Sequence, residues 1–295
     1  VTLHDTAPGK VNLTLLLGPT RSDGYHELVS VVQAVSLTDA LTLEPAELGT
    51  GEDVVVCPGV EGDNLAARAL RAYRDAAGWD APAQLLTIDK RIPVAAGMGG
   101  GSSDAAATLR LAARAAGRDD DHRLDELAFG LGADVPALLR PGRVLVSGAG
   151  EHVSPLPDTA SDALGLLILP STEQLSTQAV FAEADRLGLG RDTAELAARR
   201  VDLLNAAGTG DFPLELVVND LEPAARSLCP SIDDALATAR GAGAAVAMVS
   251  GSGPTVFGLF EQRGEDLDAI ADLLADSFPG ATAAQLWFTP PEGLE

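Results

Sequence analysis

The sequence predicts an α+β protein of two domains, on three observations. Its 295 residues, at roughly 150 per domain, suit one large domain or two modest ones. The first half mixes Val- and Leu-rich strands with Ala-rich helices. Extra helices aside, the second half runs β-α-β-β-α-β, the split βαβ pattern of ferredoxin-like domains. The turn-rich stretch Pro155-Leu156-Pro157-Asp158 places the boundary, giving domains 1–157 and 158–295.

In the first half, Val11–Leu17 and Leu28–Val35 read as strands, with shorter candidates at Leu41–Leu43 and Val54–Val56. Asp63–Ala77 has Leu65, Ala69, Leu70 and Tyr73 near helical spacing. Gln84–Ile92 is a strand running into Pro93 and a glycine cluster. Ser102–Ala116 is Ala-rich without Gly or Pro, hence a helix. Leu124–Leu131 is a helix ending at Gly132, and Asp134 opens a short one with Pro136 in its first turn. Arg143–Ser147 returns to strand. The acidic run Asp119-Asp120-Asp121 reads as a solvated loop.

In the second half, Gly165–Leu169 is a strand. Ser176–Leu187, Thr193–Ala206 and Ile232–Arg240 read as helices. Ala244–Val249 and Thr255–Phe260 are strands about the turn Ser250-Gly251-Ser252-Gly253-Pro254. Glu265–Phe278 is a helix and Ala283–Trp287 the last strand.

The chain carries 20 Lys and Arg against 43 Asp and Glu, a net charge of −23. That excess opposes non-specific nucleic-acid binding and adhesion to an anionic membrane, both of which need basic side chains. A nucleotide is still accommodated, because a helix N-terminus, one Lys and a metal ion make a locally positive site. Aromatic residues are 4% of the chain, so the core must be built from Ala, Val and Leu. Cys57 and Cys229 form no CxxC and no cluster with His4, His26, His122 or His152, as expected of two thiols in a reducing cytoplasm. Val1-Thr2-Leu3-His4-Asp5 does not read as a signal peptide, and no apolar run reaches membrane-spanning length.

The strongest chemical feature is the strand-to-helix junction holding Pro93, Gly97, Met98, Gly99, Gly100, Gly101, Ser102 and Ser103. Four glycines in five positions let backbone N–H groups approach a ligand, and the helix start adds unsatisfied donors. Such a loop suits phosphates. No Gly-Lys-Ser/Thr follows, so it is not a Walker A loop. Gly97-x-Gly99 is followed three residues on by Ser102, so a dinucleotide fingerprint matches poorly. The plainer alternative is a turn in which Ser caps a helix.

Around it stand weaker signals. Lys10, in Ala7-Pro8-Gly9-Lys10-Val11-Asn12, enters an apolar strand and could be held near a phosphate or a carboxylate, or simply point to solvent as most such lysines do. Tyr25 and His26 follow an Asp-Gly turn and could stack on a flat ring, although His26 alone reads as a surface imidazole. Asp134, after Gly132-Ala133, is either a helix cap or a catalytic carboxylate. The turn at Gly251 and Ser252 is either a tight hairpin or a backbone surface closing over substrate.

Taken together, these motifs resemble the GHMP kinases. Pro8-Gly9-Lys10-x-Asn12 comes first, Pro93-x-x-x-Gly97-x-Gly99-Gly100-Gly101-Ser102-Ser103 in the middle, and Gly251-Ser252-Gly253 near the end. Four further pieces are similar to the members acting on a cytidine-diphosphate-linked methylerythritol: Arg21-x-Asp23-Gly24-Tyr25-His26, Ser102-Ser103-Asp104-Ala105-Ala106, Leu131-Gly132-Ala133-Asp134-Val135-Pro136 and Asn219-Asp220-Leu221-Glu222-Pro223. Gly9 and Met98 stand where the family often has Ala and Leu. The segment Val146-Ser147-Gly148-Ala149-Gly150-Glu151 lacks an Arg that some members carry.

The resemblance implies a ribosomal-protein-S5-like N-terminal domain carrying ATP, a ferredoxin-like C-terminal domain, and an active site in the cleft between them. It implies transfer of the γ-phosphoryl of ATP, with Mg²⁺, to the 2-hydroxyl of a small cytidine diphosphate substrate, a step of the non-mevalonate isoprenoid pathway. Asp134 would take the hydroxyl proton. Lys10 would keep Asp134 ionised and stabilise charge on the transferring group. Gly97 to Ser103 would cradle the phosphates, and Asn64 would lie beside the adenine. Tyr25, His26 and Phe181 would surround the cytosine, with Asn12, Thr177, Gly251 and Ser252 near the substrate. Another activity of the family, of homoserine or mevalonate type, and a non-catalytic nucleotide-binding protein on the same fold are the alternatives. The expectation is a cytoplasmic monomer or homodimer.

Overall fold

A computed structural model gives the fold and describes residues 1–47, 51–60, 62, 64–94, 97–119, 121–157, 164–207, 212–261 and 265–286. In chain order the elements are β1 (Leu3–Thr20), β2 (His26–Pro45), β3 (Val54–Val56), α1 (Leu65–Ala77), β4 (Gln84–Asp89), α2 (Gly100–Ala115), α3 (Arg123–Leu131) and α4 (Val135–Leu138). There follow β5 (Arg143–Gly148), β6 (His152–Pro155), β7 (Gly165–Leu169), α5 (Thr177–Leu187) and α6 (Thr193–Ala207). After a 3-10 turn at Leu214–Leu216 come β8 (Val218–Asn219), α7 (Glu222–Leu228), α8 (Ile232–Gly241), β9 (Val246–Val249), β10 (Val256–Phe260), α9 (Glu265–Leu274) and β11 (Thr282–Gln285).

The chain divides into two compact units. One holds Val1–Gly9, Leu37–Val94 and Gly99–Pro141; the other holds Lys10–Ser36, Ala95–Met98 and Gly142–Glu295. The long strands β1 and β2 supply residues to both.

In the first unit the strand order is β3-β4-β2-β1. β2 runs antiparallel to β4 from Ala40↔Asp89 to Pro45↔Gln84, and β3 is parallel to β4. Helices α1 to α4 bury their apolar faces with Leu41, Leu43, Leu86 and Ile88 of the strands in one cluster. α2 contributes Ala105, Ala106, Ala107, Ala112 and Ala113. These small side chains let α1 pack closely on it, while Leu70, Tyr73 and Leu109 supply bulk. α1 starts at Asn64, whose Oδ1 accepts from Ala66 N at 2.8 Å, and stops at Gly78 in the left-handed region.

In the second unit β11-β7-β10-β9 form an antiparallel sheet, the order a split βαβ domain requires. Its inner face packs with Val180 and Ala184 of α5, Ala224 and Ala225 of α7, Ile232 and Leu236 of α8, and Leu267 and Ala271 of α9. The remaining strands of this unit run β8-β1-β2-β5-β6. β8 is parallel to β1, and β5 is antiparallel to β2 from Leu28↔Gly148 to Gln33↔Arg143.

Several expected boundaries move. Leu28–Val35 and Leu41–Leu43 are parts of one 20-residue strand, because polar Ser36, Thr38 and Asp39 interrupt the apolar run without ending the strand, which pairs with β5 before them and with β4 after them. The strand expected over Gln84–Ile92 stops at Asp89, since the N–H groups of Arg91 and Ile92 turn to Asp39 Oδ1. α2 begins at Gly100, inside the glycine run, and α9 ends at Leu274. β6, β8 and α7 were not expected. Asp63, Asp120, Asp158 and Trp287, ends or members of expected segments, lie outside the described residues.

The acidic run is not simply solvated. The Asp121 side chain is buried and accepts from Tyr73 Oη at 2.9 Å and Arg123 Nη1 at 2.8 Å. Burial pushes this carboxyl up, but bonds from the Arg123 N–H, the Tyr73 hydroxyl and the Arg123 side chain outweigh it and hold its pKa down. Burial, then the bond to Asp121, pushes the Tyr73 phenol up to about 12.

Candidate active site

Lys10 and Asn12 stand two residues apart on β1, so both point to one face of the strand. Both are buried. A buried ammonium needs polar partners, and one is Asn12: Lys10 Nζ donates to its Oδ1 at 2.9 Å. Asn12 is fixed in turn, donating through Nδ2 to Ser30 Oγ at 2.8 Å, while Ser30 Oγ donates to the Thr14 carbonyl at 2.6 Å. The Lys10 backbone N–H donates to the carbonyl of Met98 at 2.9 Å, which ties β1 to the glycine run.

The turn between β9 and β10 reaches the same place. Gly251 has φ +58°, and a Cβ there would lie 3.3 Å from Asn12 Oδ1 and 3.4 Å from Lys10 Nζ. Gly97, at φ +68°, approaches so closely that its Cβ would meet the Ser250 carbonyl at 3.0 Å. Asn219, at the end of β8, donates to the carbonyls of Val249 at 2.9 Å and Gly251 at 2.7 Å. The Val249 N–H donates to Glu222 Oε2 at 3.0 Å. Thr177, at the start of α5, lies with Oγ1 3.1 Å from Ser252 Oγ. The second unit therefore gathers Lys10, Asn12, Gly97, Met98, Gly251, Ser252 and Thr177.

His26 is not a surface imidazole. Its side chain is 9% exposed, its ring lies 5.1 Å from that of Phe181, and Nε2 is 2.8 Å from Asp185 Oδ1. Phe181 is half-buried on α5, and Tyr25 is exposed. Arg21 of the same motif donates to Glu151 Oε1 at 2.6 Å. Burial pushes the Glu151 carboxyl up, and the Arg21 bond with two backbone N–H bonds brings it below its ordinary value.

The first unit holds the other half of the glycine run. Gly99, at φ +66°, occupies the N-cap position of α2, so neither Ser102 nor Ser103 caps it. Four N-terminal amides of a 16-residue helix thus begin at glycines, with the positive end of the dipole behind them. The Ser103 N–H is bonded to the Gly99 carbonyl at 2.8 Å, while Ser103 Oγ is buried without a hydrogen-bond partner. Pro93 leads into the run. Asn64 caps α1 and also hydrogen-bonds the Cys57 thiol, which burial pushes up. Asp134 is exposed at the N-cap position of α4, where its carboxylate makes no capping bond. Asp134 thus opens α4 as expected, without its carboxylate bonding the helix amides.

Two groups were invisible to sequence reasoning. One is Asn219, whose motif was noted but whose contact with the Gly251 turn was not. The other is the ion cluster of Asp39, Lys90 and Asp104 beneath Gly100. Among the described residues no group of three or more His, Cys, Asp or Glu could hold a metal ion, and no helix is long and apolar enough to cross a membrane.

Comparison with known proteins identifies the family. Sequence profiles for "GHMP kinases N terminal domain" and "GHMP kinases C terminal" match residues 64–142 and 194–279. A 4-diphosphocytidyl-2-C-methyl-D-erythritol kinase of Streptomyces coelicolor is 44% identical over 259 residues, covering 84% of each chain. One from Methylobacterium radiotolerans is 42% identical over 302 residues, covering 99% of each. A crystal structure of 4-(cytidine 5'-diphospho)-2C-methyl-D-erythritol kinase superposes with a TM-score of 0.73 at 32% identity, covering 96% of this chain and 98% of that one. The chain belongs to the GHMP kinases, in the family of the 4-diphosphocytidyl-2-C-methyl-D-erythritol kinases.

Proposed function

We propose that the chain transfers the γ-phosphoryl of ATP to the 2-hydroxyl of 4-diphosphocytidyl-2-C-methyl-D-erythritol. The observation that carries this reading is the Lys10 ammonium, held on a strand against Asn12 and Gly251, with its backbone bonded to the glycine run at Met98. Phosphoryl transfer asks mainly for positioning and charge stabilisation. Gly97 to Ser103 receive the phosphates on backbone N–H groups. Lys10 stabilises charge on the transferring group, and Asp134 accepts the proton of the attacking hydroxyl. Asn12, Thr177, Gly251 and Ser252 orient the acceptor, and Tyr25, His26 and Phe181 take the cytosine. Asn64 lies on the adenine side.

The glycine run offers amides rather than a carboxylate cage, which fits a Mg²⁺ ion carried in on the phosphates. When bound, Mg²⁺ neutralises charge developing on the phosphate oxygens. By sequence, residues 1–157 are assigned to ATP binding and residues 158–295 to the substrate, a division that the compact units cross at residues 10–36, 95–98 and 142–157. Two unpaired thiols are consistent with a cytoplasmic enzyme, monomeric or homodimeric.

A coupled ADP-release assay tests the reading. The wild-type chain is expected to turn over with the cytidine substrate and not with homoserine. Lys10→Ala and Asp134→Ala should each lose at least about 10²-fold in kcat while staying folded by circular dichroism. Equal turnover with homoserine would overturn the substrate assignment. Near-normal activity of either folded variant would remove that residue from the mechanism.

A further inference from the structure

Beneath the glycine run lies a buried cluster with two carboxylates and one ammonium. Asp39, on β2, is wholly buried. Its Oδ1 accepts from the backbone N–H of Arg91 at 2.6 Å and of Ile92 at 2.8 Å, and its Oδ2 from Lys90 Nζ at 2.5 Å. Lys90 Nζ also donates to Asp104 Oδ2, in α2, at 2.8 Å. A Cβ on Gly100 would lie 3.2 Å from that same Nζ and 3.1 Å from Ile92 Cγ2. A side chain at 100 would therefore crowd both the Ile92 methyl and the ammonium, so the start of α2 lies close against the cluster.

Structural economy does not explain the cluster. Asp104 is 4% exposed, and its Oδ1 has no hydrogen-bond partner. Leaving a buried carboxylate oxygen unpaired is costly, so the group is poorly built as a stabilising ion pair. Its position points elsewhere: Asp104 lies one turn into α2, directly behind the glycine run that opens the helix.

We propose that Lys90 is a positioning residue of the phosphate loop, its ammonium clamped by Asp39 and Asp104 against Gly100 so that the cluster sets both the seat and the local charge of the loop. This rests on the reading of Gly97 to Ser103 as the phosphate cradle. With all three groups ionised, the cluster carries one net negative charge. With Asp104 protonated it is neutral. A triphosphate favours the neutral form, so nucleotide binding draws a proton onto Asp104, and by linkage a proton on Asp104 tightens nucleotide binding.

The surroundings allow Asp104 to titrate in the working range. Burial pushes its carboxyl up, to about 7, against the pull of Lys90, and Asp39 adds to the rise. The same carboxylates, Asp104 first, overcome burial at Lys90 and raise the ammonium, so Lys90 stays charged. Among the described residues the Cys57 thiol after β3 also acts on Asp104. Arg91 meets Asp39 through its backbone and directs its guanidinium to Asp89. That thiol meets Asn64, the neutral cap of α1.

The test is calorimetric titration of Mg²⁺ and the non-hydrolysable analogue AMPPNP at about pH 6 and about pH 8. The wild type is compared with Asp104→Asn and Lys90→Met, and taking variant-to-wild-type ratios cancels the titration of the analogue itself. Asp104→Asn keeps a side chain able to bond Lys90 and mimics the protonated state. It should bind AMPPNP about three- to tenfold more tightly than wild type at the higher pH, with the ratio closing towards one at the lower. Lys90→Met should bind at least about tenfold more weakly at the higher pH. An Asp104→Asn ratio equal at both pH values, or a folded Lys90→Met with wild-type affinity, overturns the proposal. Should Lys90→Met not fold, the Asp104→Asn ratio decides alone. Failure of the wild type itself to bind AMPPNP overturns the cradle reading and this proposal with it.

Discussion

The ring of Phe181, on α5, stands 5.1 Å from the imidazole of His26, centroid to centroid, with 35° between the planes. The pair joins the Arg21–His26 motif to the second half of the chain. Asp185, one helical turn beyond Phe181, holds the far nitrogen of the imidazole at 2.8 Å.

Phe181→Ala is therefore expected to raise the KM for the cytidine substrate by roughly ten- to a hundred-fold, since stacking on a base is worth about 1–3 kcal/mol. The KM for ATP should hardly change. Phe181 also packs against the apolar cluster of its unit, so the melting temperature should fall as well. Steady-state kinetics with each substrate varied in turn separates the effects. A lower melting temperature with an unchanged KM for the cytidine substrate would leave Phe181 a packing residue only.

Gly251→Ala should cost turnover rather than the fold. Its φ of +58° disfavours a side chain by about 1–2 kcal/mol, and the added methyl would crowd Asn12 Oδ1 and Lys10 Nζ. A kcat at least about tenfold lower is expected, the loss from roughly 1.4 kcal/mol at the transition state. Gly241→Ala in α8 is the control. Nothing lies within 4 Å of its added methyl, and it should be neutral or slightly stabilising. Equal kcat for the two variants would mean that the Gly251 turn does not govern Lys10.

Asn219→Ala removes the side-chain donor to the carbonyls of Val249 and Gly251. Leaving buried carbonyls unsatisfied costs about 1–3 kcal/mol each, so urea unfolding should show a loss in that range or above. The turn at Gly251 loses its tether, and kcat should fall with stability. A variant as stable and active as the parent would show that the turn holds itself.

The pH dependence of stability carries a sign that can be checked. Asp104 holds its proton to about 7 when folded, against an ordinary 3.8. Between those values the folded chain binds more protons than the unfolded chain, so this group makes stability fall as pH rises. The contribution is fully present below 3.8 and lost as pH passes through about 7. The melting temperature of the wild type should thus decline relative to Asp104→Asn between about pH 4 and pH 8. A constant difference across that range would mean that Asp104 is ionised throughout.

What the sequence disclosed and what it hid divide by the range of the interactions. The glycine run, the Ala-rich α2 and the β-α-β-β-α-β order were legible because each is a local pattern of propensity and spacing. Asp39, Lys90 and Asp104 were not, since Lys90 meets partners 51 and 14 residues away and no local pattern pairs them. The Asn219 tether to Gly251 spans 32 residues. β8 escaped notice at two residues long, because pairing with Thr14 and Leu15 of β1, not its own composition, makes it a strand. His26 was misjudged for the same reason: its burial depends on Phe181 and Asp185, both distant in sequence.

The interleaving of the two units limits how the polypeptide can be divided. A nick after Pro141 would leave the first unit all of its segments but strip residues 10–36 and 95–98 from the second. Those segments carry the β1 residues that β8 pairs with and the β2 residues that β5 pairs with. A fragment beginning at residue 142 would therefore expose two unpaired strand edges and lack Lys10 altogether, and such edges invite aggregation. Activity from a split polypeptide would have to come from fragment complementation, with the amino-terminal piece returning its strands to the carboxy-terminal one.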